Sequence, residues 1–197
     1  MLNKLRFTLA ESHCMSPATF LSKVVAPVMG KEYWLQGGAR LGTRGSALSN
    51  SFKIHMRAIN GIGVIASDWV RTLETPTLRD DLSMLTMLNW DDVLSHRHLL
   101  RPSRAWCPAC YEDRAIHSQP IYEPLLWTFC VVEVCLVHER RLQSVCHHCN
   151  RALPWLSRLG RPGYCGKCNS WLGNRSVDRS EVISHEGSRH YDFASLL

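Results

Sequence analysis

Between Cys107 and Cys168 the chain carries four pairs of metal-ligand type, each separated by two residues: Cys107/Cys110, Cys135/His138, Cys146/Cys149 and Cys165/Cys168. A two-residue gap suits a tight turn that aims both ligand atoms at one ion, and a tetrahedral site needs two such turns. Four pairs therefore make two closed sites, one of three cysteines and a histidine and one of four cysteines. With no ligand position left for water, both are expected to hold structural Zn²⁺ rather than do chemistry. Joining the pairs in sequence gives insertions of 24 and 15 residues, the second close to known four-cysteine ribbons. A cross-brace and a nested arrangement, the latter enclosing 54 residues, are the other two pairings. The spacing favours the sequential one, with "ERRLQSV" as a short basic connector between two sites.

Competing readings of these cysteines are weaker. "WCPAC" has the form of a thioredoxin-type redox pair, but such a pair stands alone after a strand in a βαβ unit, whereas here four pairs occur together. A zinc deaminase needs His-x-Glu, and none of the ten histidines has Glu two residues later. His147 and His148 lie between two cysteines and are expected to be spectators. Cys130, in the apolar "LLWTFCVV", reads as a buried small hydrophobe, and Cys14 has no assigned role.

The first hundred residues read as short helices. Ser16-Pro17 is a helix start ahead of "ATFLSKVVA", which Pro27 and Gly30 are expected to interrupt. Four glycines with Arg40 and Arg44 then form a basic loop that lacks the Gly-Lys-Ser/Thr of a phosphate-binding P-loop. "SFKIHMRAIN" and "VIASDWVRTLE" have apolar residues at helical spacing, the second closed by Thr75-Pro76. Thr77 with Asp80, and Asn89 with Asp92, have the form of capping boxes ahead of "LSMLTML" and "VLSHRHLL". The expected fold is a mainly α, helix-turn-helix-like N-terminal domain over 1–100, then two tandem zinc-ribbon modules over 101–175 (sites 107–138 and 146–168), then a polar tail over 176–197. "PIYEPLLWTFCVVEV" is expected to supply the core that small zinc modules lack.

From Arg101 to Arg175 ten Lys/Arg face five Asp/Glu, and the whole chain has a formal charge of +6. Zinc binding to seven thiolates removes seven protons and adds four charges, which brings the metallated chain nearer +3. Charge alone is therefore a weak argument for nucleic acid. Arg101, Arg104, Arg140, Arg141, Arg158 and Arg161, with Arg40 and Arg44 of the glycine-rich loop, are the candidate exposed phosphate or partner contacts. No stretch has the length of a signal peptide or membrane span, so the expectation is a bacterial cytoplasmic protein with no membrane partner and no small-molecule substrate.

The run from "INGIGVIASDWVRTLETPTLRDDLSMLTMLNWDDVL" through "LLRPSRAWCPACY", "PLLWTFCVVEVCLVHERRL" and "SVCHHCN" to "GYCGKCNSWLG" resembles the TniQ family of transposition proteins, which includes the TnsD-type target selectors. The resemblance covers roughly residues 59 to 173 and is carried chiefly by "RAWCPACY" and the ligand pairs after it. It implies a helix-turn-helix-like domain with tandem zinc fingers. It also implies a non-enzymatic adaptor that marks a target site and recruits the AAA+ transposition ATPase, in some systems linking it to an RNA-guided CRISPR complex. Carried over, Cys107, Cys110, Cys135 and His138 form one zinc site, and Cys146, Cys149, Cys165 and Cys168 the other. TnsD-type members that read DNA continue well beyond the second site, so the expectation here is a short adaptor that takes its specificity from a partner. A zinc-ribbon and helix-turn-helix transcription regulator that binds duplex DNA by itself is the alternative.

Overall fold

A computed structural model describes residues 10–12, 14–29, 57–95, 97–155 and 161–174. The expected loop with Arg40 and Arg44, most of "SFKIHMRAIN", Arg158 and the tail lie outside the described residues. Ser16 caps the first helix as its position suggests, its Oγ accepting from the Thr19 amide at 3.1 Å. The helix runs as α1 (Pro17–Phe20), a wide π-type turn over Leu21–Val25, and α2 (Ala26–Met29). It thus passes Pro27 instead of stopping there. A proline ring collides with the carbonyl four residues back, and one wider turn re-spaces the carbonyls ahead of it.

The longest helix among the described residues, α3 (Val64–Thr77), buries Ala66, Trp69, Val70 and Leu73, the spacing of a single face, together with Thr72. It too runs through the proline expected to close it, Pro76. In a last turn several carbonyls have no amide partner. There the Thr77 hydroxyl donates to the carbonyls of Leu73 at 2.6 Å and Glu74 at 3.2 Å, so Thr77 finishes α3 rather than capping a following helix. The two expected capping boxes are therefore not formed. Asp81 has no capping bond and instead holds Arg79 at 2.5 and 2.7 Å, and Asn89 lies inside one of two 3₁₀ turns, Leu82–Leu85 and Leu88–Trp90. No helix follows Asn89 in 93–95 or 97–100. Phe20, Val25, Ile59, Trp69, Val70, Leu73 and Leu82 form one buried cluster under these elements.

The remainder has little regular structure: α4 (Pro108–Ile116), a 3₁₀ turn over Leu125–Thr128, and two antiparallel strands of two residues, β1 (Val134–Cys135) and β2 (Arg140–Arg141). It is joined to the helical part through a bridge between Leu100 and Phe129, flanked by Arg101 N–H to Thr128 O and Cys130 N–H to Leu99 O, each 2.9 Å. Cys130 is half-buried there rather than part of the core. Trp127 supplies core from the insertion, as expected, whereas Val131 is exposed.

A single apolar cluster spans both ligand regions. It contains Trp106, Tyr111, Trp127, Leu153 and Leu172 together with Cys107, Cys110, Cys135, Cys146 and Cys165. The Tyr111 ring meets Trp127, from the first insertion, edge-on at 5.9 Å and Trp171, just past Cys168, at 6.0 Å. Beside it lies Arg104, only 2% exposed. Its guanidinium pairs with Glu123 at 2.6 Å and reaches the Tyr111 hydroxyl at 3.2 Å and the Tyr164 carbonyl at 3.3 Å, while its amide bonds Leu153 O at 2.9 Å. Burial works against the Arg104 charge, but Glu123 and Tyr111 more than offset it and its pKa is raised. Burial likewise pushes the Tyr111 phenol up. Removing one member of a buried ion pair strands the other, so Arg104→Ala should cost about 3–5 kcal/mol of stability, and the double apolar replacement Arg104→Met with Glu123→Leu should recover most of it. Urea unfolding of the zinc-loaded protein measures both.

Candidate metal centres

Three of the four ligand pairs are built alike. In each, the residue after the second ligand takes a positive φ: Glu139 at 49°, Asn150 at 51° and Asn169 at 58°. Its amide closes onto the carbonyl of the first ligand, at 2.8 Å to Cys135, 2.8 Å to Cys146 and 2.9 Å to Cys165. The flanking chain then pairs as a minimal hairpin, Val134 with Arg141, Val145 with Ala152 and Tyr164 with Trp171. Asparagine tolerates the left-handed conformation better than most residues, so "CHHCN" and "CGKCN" carry this turn in their sequence. The fourth pair differs, because Cys107 precedes α4 and Cys110 lies within it.

The structure brings Cys107, Cys110, Cys135 and His138 into one cluster and Cys146, Cys149, Cys165 and Cys168 into another, the ligand atoms of each lying within 4.8 Å of one another. In the first, Cys110 Sγ is 3.5 Å from Cys135 Sγ, and His138 Nδ1 is 3.2, 3.7 and 3.8 Å from the sulfurs of Cys110, Cys107 and Cys135. In the second, Cys146–Cys168 is 3.8 Å and Cys149–Cys165 is 3.7 Å. A tetrahedral zinc with Zn–S of about 2.3 Å has sulfur–sulfur edges of about 3.8 Å, so both donor sets are already shaped to hold it. The two clusters fit two structural zinc ions.

The surroundings favour thiolates selectively. Hydrogen bonds from Cys107 and Cys110 hold the Cys135 thiol far below its ordinary range, while those with Cys107 and Cys135 raise Cys110. In the second cluster burial raises Cys146 and, with Cys165 beside it, pushes Cys149 up to about 12. Ser170, its hydroxyl 3.4 Å from the Cys168 sulfur, holds Cys168 down at about 6. The amides of Lys167 and Cys168 point at Cys165 Sγ from 3.4 and 3.5 Å, the usual way a knuckle stabilises a metal-bound sulfur. His147 and His148 are exposed, lie 4.2 Å apart ring to ring, and belong to neither cluster.

A family model for TniQ matches residues 7–142, more than half of the chain. This chain belongs to the TniQ family. The matched span takes in the helical part and the whole first cluster and ends before Cys146. No curated protein matches the chain. Among the described residues of this TniQ member no helix is long and apolar enough to cross a membrane.

The arginines expected at the surface divide. Arg104 is wholly inside, for the reasons given above, and Arg140 is also buried, because pairing of β2 with β1 at Cys135 turns it toward the core; both corrections remove phosphate-contact candidates. Arg101 is half-buried and donates to the Val132 carbonyl. Arg141 is exposed and 3.5 Å from Glu133, and the exposed Arg161 covers the Tyr164 ring at 4.5 Å.

One residue of the first site escaped the sequence reading. Asp113 accepts from His138 Nε2 at 2.7 Å, which leaves Nδ1 as the lone-pair donor facing the three sulfurs. The signal was present: Asp113 follows Cys110 by three residues on α4, one helical turn away on the same face. A carboxylate behind a ligating histidine fixes its tautomer and orientation. Asp113→Ala should therefore weaken zinc binding at the first site about 10–100-fold, with Asp113→Asn milder and the second site unchanged. Competition with a chromogenic chelator, resolving two zincs per chain, checks this. In the same assay Cys135→Ser should release only the first ion and Cys146→Ser only the second; loss of the same ion from both would show the ligand sets to be shared.

Proposed function

We propose that the chain is a non-enzymatic adaptor in DNA transposition, one that helps choose the target site and recruits or caps the AAA+ transposition ATPase on target DNA. The observation that carries this reading is the TniQ match over residues 7–142, which ends just after a zinc-type cluster with no open ligand position. A TniQ member implies target selection. A full set of four protein ligands per ion leaves no place for a metal-bound water, which suits an organising role rather than catalysis. Cys107, Cys110, Cys135 and His138 would hold one zinc and Cys146, Cys149, Cys165 and Cys168 the other.

In this reading residues 1–100 form a helix-turn-helix-like unit, 101–175 the zinc unit and 176–197 a tail. The burial of Arg104 and Arg140 reduces the basic surface available to phosphate, which supports an adaptor that works largely through proteins. A link to an RNA-guided CRISPR complex is one form the adaptor would take. The zinc-loaded protein should bind the ATPase assembled with nucleotide on DNA and alter the length or position of those assemblies, as seen by co-sedimentation and negative-stain imaging. On DNA alone its binding should be weak and indifferent to sequence. Absence of any effect on the ATPase, together with tight sequence-dependent DNA binding and a steep salt slope, would instead mark a transcription regulator.

A further inference from the structure

Residues 78–93 expose an unusual surface. Within sixteen residues Leu78 is 94%, Met84 70%, Trp90 47% and Val93 73% exposed, on the successive turns that follow α3. Scattered single apolar residues are ordinary at a protein surface, but a group of this kind with an aromatic among it is not. The two 3₁₀ turns that carry Met84 and Trp90 are tied together by the Asn89 amide, 3.1 Å from Met84 Sδ. Leu78 also sits at φ 53°, a left-handed conformation that strains a branched side chain and in this case turns it to solvent.

The same stretch is acidic. Asp80, Asp81, Asp91 and Asp92 are exposed, and residues 78–93 include one basic residue, Arg79, paired with Asp81. The chain as a whole has 23 Lys and Arg against 17 Asp and Glu, so this face runs against its overall charge. Phosphate would be repelled from it. A basic protein surface would be drawn to it, and the apolar side chains give such a partner anchors to cover.

We infer that residues 78–93 form a docking surface for a protein partner that presents Lys or Arg around an apolar anchor. Trp90 and Val93 are the buried centre of that contact, and Asp80 and Asp92 its charged rim. The choice of the ATPase as the partner to assay rests on the adaptor reading above, whereas the surface rests on these side chains.

The experiment uses the zinc-loaded full chain. Asp80→Lys with Asp92→Lys, and separately Trp90→Ala with Val93→Ser, should each weaken binding to the DNA-assembled ATPase about tenfold or more, with two zincs and the affinity for DNA unchanged. Equal binding by the wild type and both variants overturns the inference. If the wild type does not bind the ATPase, the adaptor reading falls by itself, and the surface is judged by titrating a short helical Lys/Leu peptide and following amide chemical shifts. Saturable shifts confined to residues 78–93 support it; shifts elsewhere, or none, overturn it. Concentration-dependent dimerisation that the same variants abolish assigns the face to a second copy of the chain, and also overturns it.

Discussion

Closure of four ligand atoms around one point is the constraint on which the second half of this protein depends. Strands of two residues and isolated bridges cannot hold a fold by themselves. Bringing together ligands separated by insertions of 24 and 15 residues costs loop entropy, which metal binding offsets because metal uptake and folding are one process in such modules. The three hairpin-like knuckles with their left-handed residues are the local device that makes closure possible.

The two clusters nevertheless do not stand on separate foundations. Tyr111 touches Trp127 of the first insertion and Trp171 beyond the second site, Trp106 exchanges amide and carbonyl bonds of 2.8 Å with Gln143 in the connector, and Trp171 donates to Glu112 of α4 at 2.9 Å. Gly163, at φ 80°, lies so close under the Trp171 ring that a side chain there would have to displace it. Arg104 and Glu123 sit at the middle of this arrangement. The two clusters therefore share one apolar core while each keeps its own ligands.

Those surfaces differ in charge from what residue counts suggest. Two arginines that looked free are internal, Arg101 is committed to a backbone carbonyl, and four aspartates gather on the turns after α3. The misreadings share a cause. Thr77 with Asp80 has the form of a helix start, and Pro27 and Pro76 have the form of helix stops, because short-range signals are identical whichever side of a boundary they fall on. Which side is settled by burial: Leu73 and Leu82 belong to one apolar cluster, and α3 runs on to place both.

The donor set, the two-residue gaps, the Ser16 cap and the family likeness were determined by sequence alone, because each is a relation between residues a few positions apart. Even Asp113 behind His138 was within reach, one helical turn from Cys110. Only the tertiary structure decided which pair meets which, and that Arg104 is a core residue. Its environment is assembled from Tyr111, Glu123, Leu153 and Tyr164, and no local pattern encodes a pocket whose walls arrive from sixty residues along the chain.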